Sequence, residues 1–192
     1  MLAIIITIMV LELRAPEGHD LSDLVHTTGV GLLTYLLSFV YVGLYWANHH
    51  HTFHLVRRVS GGVLWANLAL LFCLSLVPFT TAWVSESRFE QTPVVIYGVN
   101  LLGAAVAYVV LQWVIIRQEG PESPLHQAVG IDLKGKISLG FDVAGILSAL
   151  TIDRSGHVGV WIAMACFVAI VIMWVVPDRR IDRVFRQYET AD

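Results

Sequence analysis

The stretch of sequence that decides the fold covers residues 24–56 and reads LVHTTGVGLLTYLLSFVYVGLYWANHHHTFHLV. It contains 33 residues and no Asp, Glu, Lys or Arg. A helix that crosses a lipid bilayer needs roughly 20 predominantly apolar residues. This stretch is therefore long enough to span a membrane, and it predicts a membrane protein built from α-helices.

Further apolar segments flank this stretch. Three more are free of charged residues, at 59–85, 91–116 and 155–177, and a shorter one at 137–152 carries a single charge, Asp142. Residues 1–11 are also uncharged, but at ~1.5 Å per residue they reach only about half of a ~30 Å bilayer core. We predict an all-α membrane protein with six transmembrane helices, the first truncated, forming one transmembrane domain over residues 1–192 with no soluble domain. The predicted helices are 1–13, 27–56, 61–84, 93–117, 137–152 and 157–177, followed by a cytoplasmic tail at 178–192.

The first apolar segment does not read as a signal peptide. No Lys or Arg precedes Arg14, and no small-residue cleavage site follows the apolar run. We therefore expect residues 1–13 to be the second half of a transmembrane helix, in a chain that starts late.

Composition excludes several classes of function. Charged residues make up 14% of the chain, whereas soluble domains contain about 25%. A net charge of −3 gives no basic field for nucleic acid, and two cysteines cannot form a disulfide framework. The sequence also lacks the common nucleotide-binding, hydrolase and zinc-protease motifs, and the Thr-Val-Gly-Tyr-Gly filter of ordinary potassium channels. We predict no enzymatic activity, no cofactor and no nucleic-acid partner.

Basic residues predict the orientation in the membrane. Alternate loops place nine on one side, at positions 57, 58, 117, 134, 136, 179, 180, 183 and 186, and three on the other, at positions 14, 88 and 154. Because Lys and Arg are in excess in cytoplasmic loops, the side with nine is predicted to be cytoplasmic. Both termini then lie in the cytoplasm.

A histidine cluster closes the second predicted helix, in the sequence Asn48-His49-His50-His51-Thr52-Phe53-His54. The i, i+4 and i, i+3 spacings would allow a metal to bind on one helix face, but no carboxylate or Cys stands nearby in sequence to complete a site. The imidazoles are also suited to hydrogen bonding at the level of the lipid headgroups. We assign no metal here, and for His49 we prefer a structural hydrogen bond to the first helix.

Asp142 stands inside the fifth predicted helix. A charge near the bilayer centre costs ~2.5–3.5 kcal/mol on the insertion scale, so it is a functional candidate. Because Asp142 follows Lys136 by only six residues, it is equally compatible with a paired position near the cytoplasmic interface.

The end of the second helix resembles a known family. Trp46-Ala47-Asn48-His49-His50-x-x-Phe53 is similar to a motif of the transmembrane-protein-175 family of potassium channels. The third helix is similar too, with an early Asn67 and a late Pro78-Phe79, and residues 3–12 resemble the second half of the pore-lining helix of the family. The resemblance covers roughly residues 1–84.

The resemblance implies a polar network and an assembly. An Arg followed by Phe-Ser-Asp, the hallmark of the family, would stand just before Met1, and its Ser and Asp would bond the helix end that carries Trp46, Asn48 and His49. Prokaryotic relatives are implied to be tetramers of six-helix subunits with the first helix of each lining a central pore.

Ile4, Ile8 and Leu11 follow i, i+4, i+7 spacing and so share one helix face. Such a stripe alone is typical of helix packing or lipid contact. The resemblance implies that it faces the pore, where four copies would stack apolar rings and Thr7 would add a hydroxyl. A narrow apolar ring makes an ion shed water, which favours potassium because it holds its water less tightly than sodium.

We therefore predict a potassium-selective, leak-type channel subunit that forms a homotetramer in a prokaryotic cell membrane, with potassium ions and the lipid bilayer as partners. One alternative is a proton-coupled secondary transporter that uses Asp142 and the helix 2 histidines, although the chain shows no clear inverted repeat. A third interpretation is an intramembrane metal-dependent enzyme built on the histidine cluster.

Overall fold

The computed structural model describes residues 2–13, 15, 19–54, 56, 58–120, 123, 125–126, 132–152 and 157–175. Within these ranges the regular structure is helical and contains no strand. The helices discussed below are α1 (Leu2–Leu11), α2 (Leu21–His54), α3 (Gly61–Ser75), α4 (Val77–Glu86), α5 (Gln91–Glu119), α6 (Leu133–Ile152) and α7 (Val158–Val175). The predicted tail, 178–192, lies outside the described residues.

Five spans in the described residues are long and apolar enough to cross a membrane: Thr28–His54, Gly61–Glu86, Gln91–Glu119, Leu133–Ile152 and Val158–Val175. The chain is thus an all-α membrane protein. With 10 residues, α1 rises ~15 Å, about half of a bilayer core.

The predicted third helix is two helices in one span. Leu76 ends α3 and precedes α4, whose first turn contains Pro78. Proline has no N–H to donate to the preceding turn, and its ring crowds that turn. The Thr80 hydroxyl, in turn, donates to the Leu76 carbonyl at 3.1 Å. The span therefore continues past Leu76 with a local break in its helix.

Two helices begin four or more residues earlier than predicted, and in each an acidic side chain accepts from a backbone N–H at the start. The Asp20 backbone N–H donates to the Asp23 carboxylate at 3.3 Å, and α2 starts at Leu21. The Asp132 carboxylate accepts from the Gly135 N–H at 2.8 Å, and α6 starts at Leu133. Such contacts satisfy backbone donors of the first turn. Helix starts predicted from uncharged runs alone exclude these charged first turns.

Helix α5 lies at the centre of the bundle and contacts α3, α4, α6 and α7. The Gln91 side-chain amide, at the start of α5, donates to the Ala149 carbonyl near the end of α6 at 2.7 Å. Near the start of α6, the Ser138 hydroxyl accepts from the Trp174 indole near the end of α7 at 2.7 Å. Both contacts join the start of one helix to the end of its neighbour, so α6 runs antiparallel to both α5 and α7.

Two apolar clusters form the core, one along each half of α5. One joins α1, α3 and α5 through residues that include Met9, Leu70 and Leu111. The other joins α5 and α7 around Leu101 and Phe167. Packing is close at Gly98, where an added Cβ would stand 2.7 Å from Cζ of Phe167, so a side chain there would require its neighbours to shift.

Candidate functional site

Helix α1 has two different faces. Ile5 and Met9 are 4% and 3% exposed and belong to the core cluster shared with α3 and α5. On a different side, about 60–120° around the helix from Ile5, the exposed fractions of Ile4, Ile8 and Leu11 are 61%, 43% and 81%. The predicted stripe is therefore on the outside of the subunit. We call the face of Ile4, Thr7, Ile8 and Leu11 the outer face of α1.

A large groove runs beside this face, between α1 and α4. It has a volume of about 650 Å³, and its apolar lining includes Ile4, Ile8, Pro78, Phe79 and Trp83. Glu12 and Glu86 also line it. Most of the groove is therefore an apolar surface that a single subunit leaves uncovered.

Thr7 is exposed on the outer face of α1. Its hydroxyl donates to the Ile4 carbonyl at 2.9 Å. Since that bond uses the hydroxyl hydrogen, the oxygen lone pairs are what Thr7 offers outward.

His49 forms the clearest polar contact of the sequence motif. Its Nε2 lies 2.7 Å from Oδ1 of Asn67, so the partner that the structure gives it is on α3 and not on α1. The ring also packs on Phe53, with centroids 4.5 Å apart. The sequence analysis singled out both His49 and Asn67 but did not pair them.

The other two residues of the predicted network have separate surroundings. Trp46 is 54% exposed and stacks on the His50 ring at 5.6 Å. Asn48 lines a cavity between α2, α5, α6 and α7. The three residues of the predicted network, Trp46, Asn48 and His49, are close in sequence, but the structure places each in a different environment.

The other histidines of the cluster lie in the last turns of α2. His50 and His54 place their Nε2 atoms 3.1 Å apart, as their i, i+4 spacing predicts. No group of three or more His, Cys, Asp or Glu suited to a metal occurs among the residues that the structure describes. At most two members of the histidine cluster therefore approach one another closely enough to share an ion.

Sequence reasoning missed a buried chain of hydroxyls. The Thr81 hydroxyl on α4 donates to Ser38 on α2 at 2.7 Å, and Ser38 lies 3.0 Å from the Tyr97 hydroxyl on α5. Thr52 and Tyr108 make a similar α2–α5 contact at 2.8 Å. The available signal was the presence of Ser and Thr inside uncharged spans, where they hydrogen-bond between helices.

Asp142 is buried within α6. It is 3% exposed, it occupies the tenth of the 20 positions of α6, and its Oδ1 has no hydrogen-bond partner among the described residues. The expected pairing of Asp142 therefore has no counterpart among the residues that the structure describes. The cavity beside it is lined by Asn48 but not by His49, His50 or His54, so Asp142 and the histidines do not share a site.

Comparisons with known proteins bear on this arrangement. The protein family described as endosomal/lysosomal potassium channel TMEM175 matches residues 1–78. A potassium channel of Chryseobacterium sp. (strain P1-3) is 44% identical over 186 residues, which cover 97% of this chain and 93% of that one. One from Streptomyces collinus is 30% identical over 122 residues, covering 60% and 59%.

A solved structure shares the fold. The crystal structure of a lysosomal potassium-selective channel TMEM175 homologue from Chamaesiphon minutus matches with a TM-score of 0.72. The match has 24% sequence identity and covers 91% of this chain and 90% of the other. The helix arrangement described above is therefore also found in an experimentally determined protein.

Proposed function

This chain belongs to the TMEM175 family of potassium channels, and from that premise we propose that four copies of it surround a potassium-selective, leak-type pore. The family is one of channels and not of enzymes. The pore of this proposal is lined by the outer face of α1, and no cofactor takes part.

The observation that carries the proposal is the division of α1 into a packed face and an uncovered one. Ile5 and Met9 fix the helix to its own subunit, so that Ile4, Ile8 and Leu11 are presented outward in a defined orientation. The groove beside them, of about 650 Å³, offers an apolar surface for a neighbouring copy. A closed ring of identical subunits would bury this surface through one repeated contact.

Four outer faces of α1 around one axis would form three stacked apolar rings. An apolar constriction gates by dewetting, and a narrow one requires a passing ion to shed water. Potassium loses its hydration shell at a lower cost than sodium, so the rings favour potassium without a dedicated ligand cage. Oxygen lone pairs of Thr7 lie beside the rings and partly replace the lost water.

The channel is a multi-pass protein, which we place in the cell membrane of a prokaryote. Among the described residues, Arg58, Arg117, Lys134 and Lys136 lie at the membrane side formed by the end of α2, the end of α5 and the start of α6, and Arg88 lies at the other side. This asymmetry supports a cytoplasmic location for the first side, with both termini there.

Single-channel recording tests the function. The purified protein in a planar bilayer, with a tenfold potassium gradient and equal pH on both sides, should give unitary currents whose reversal potential follows the potassium gradient. A proton-coupled transporter would instead show no unitary currents and a flux that follows the proton gradient. That second result would overturn the channel proposal.

A further inference from the structure

A second polar site lies inside each subunit, away from the outer face of α1. It is a cavity of about 60 Å³ between α2, α5, α6 and α7. Its polar lining consists of oxygen-bearing side chains and one indole, from Tyr41, Tyr45, Asn48, Tyr108, Asp132, Ser138, Asp142 and Trp174. No α1 residue and no Lys, Arg or His lines it among the described residues.

The charge of Asp142 has no counterpart there. The side chain is 3% exposed, and within the part of the chain that the structure describes its Oδ1 has no hydrogen-bond partner. A buried carboxylate without a partner is strongly unfavourable, particularly inside a membrane. The residues that line the cavity offer no basic group to compensate it.

Two hydroxyl groups at the cavity have already used their hydrogens. Tyr41 donates to the Phe167 carbonyl at 2.9 Å, and Ser138 donates to the Lys134 carbonyl at 2.9 Å. Towards any further partner, these two hydroxyl groups therefore offer only oxygen lone pairs. A proton on Asp142 would supply a single donor, whereas a cation interacts with several oxygens at once.

We propose that this cavity is a binding site for one small monovalent cation, held by the Asp142 carboxylate and by oxygens of Tyr45, Asn48 and Ser138. The volume suits the ion with a few waters, since one water needs roughly 10–15 Å³ on this measure. A divalent ion is disfavoured because only one carboxylate lies deep in the cavity, and Asp132 already caps the first turn of α6.

Occupancy of this site would act on the helix that carries the sequence motif. Asn48 lines the cavity, and the next residue, His49, bonds Asn67 on α3. A bound cation would thus hold the end of α2 against α6 while His49 holds it against α3. The site is independent of the pore proposal, because it lies within one subunit.

Equilibrium binding of ²²Na⁺ tests the proposal. The purified protein is measured in a choline buffer, together with Asp142→Asn, Tyr45→Phe and the control Glu90→Gln. Glu90 is exposed and its side chain makes no cap hydrogen bond to α5. Asp142→Asn should lose one bound Na⁺ per chain, Tyr45→Phe should weaken that binding about fivefold, and Glu90→Gln should match wild type.

Two results would overturn the proposal. One is equal Na⁺ stoichiometry in Asp142→Asn and wild type. The other is a thermal stability of the wild type that changes with pH but not when Na⁺ or K⁺ replaces choline, since a proton alone would then neutralise Asp142. Should Asp142→Asn fail to fold, an unchanged Na⁺ affinity in Tyr45→Phe would also refute the site.

Discussion

At the scale of single residues, the most informative contact is the one between His49 and Asn67. Both side chains are polar, both sit in uncharged spans, and Nε2 and Oδ1 are 2.7 Å apart. A polar group that loses its partner inside a protein or a membrane has no water to replace it. This hydrogen bond therefore stabilises the packing of the end of α2 on α3.

Replacing His49 should measure that bond. We expect His49→Ala to lower the free energy of unfolding by ~1–3 kcal/mol, because it leaves Asn67 without its partner. A thermal or denaturant unfolding series on purified protein would show it. His51→Ala, in an exposed position of the same cluster, should cost less.

A double-mutant cycle with Asn67→Ala separates the bond from other effects. Coupled partners give an interaction energy of ~0.5–3 kcal/mol, whereas independent sites are additive. Strictly additive losses would show that His49 acts through its ring contact with Phe53 or through an unrelated group.

Residue-level prediction from the sequence succeeded in selecting residues but not in pairing them. The motif singled out His49 and Asn67, yet 18 residues and a turn separate them, and only the packing of α2 on α3 brings them together. Asp142 shows the same limit. Its charge inside a span is visible in the sequence, but its depth depends on α6 starting at Leu133, which the cap at Asp132 decides.

At the scale of helices, length and the absence of charge carry most of the information. The spans of α5 and α7 follow directly from uncharged runs of 26 and 23 residues. The break at Leu76 does not, because the run continues through it and only the backbone chemistry of Pro78 marks it. Periodicity placed Ile4, Ile8 and Leu11 on one face but gave no information on whether that face was packed or uncovered.

Close packing of α5 on α7 gives a prediction at this scale. In Gly98→Ala the new Cβ would lie 2.7 Å from Phe167 Cζ and 2.9 Å from Ile146 Cγ1. Such overpacking typically costs ~1–3 kcal/mol, which a lower unfolding temperature would report. Gly43→Ala on α2 is the matched control, because nothing lies within 4 Å of its added Cβ.

The Gly43→Ala variant should be as stable as wild type or slightly more so, since alanine favours a helix over glycine. Equal destabilisation by the two substitutions would mean that helix propensity or backbone strain, rather than contact with Phe167, explains the presence of Gly98.

At the scale of the whole molecule, the alternation of the spans places successive loops on opposite sides of the membrane. The segment that contains His126 connects α5 to α6, and Glu90 precedes α5 on the opposite side. In a background with Cys73 and Cys166 replaced by alanine, we expect Glu90→Cys to react with an impermeant maleimide on intact cells. His126→Cys should react only after the cells are opened, because the positive-inside rule places it in the cytoplasm.

The reverse labelling pattern would invert the orientation without changing the fold. Reaction of both cysteines on intact cells would contradict the alternation of spans itself.

Our central claim is that the outer face of α1 lines the pore, and the reversal potential of Ile4→Asn tests it most directly. Ile5 is a poor control because an amide there would enter the core. Val10 is better, since it is 46% exposed on the same helix and lies about 120° around it from Ile4.

With potassium on one side and sodium on the other, Ile4→Asn should move the reversal potential towards zero and raise the current. The reason is that four amides in one ring would coordinate ions where the wild type forces dehydration. Val10→Asn should keep the wild-type potential. A shift of the same size in both variants, or no shift in Ile4→Asn, would contradict the pore assignment.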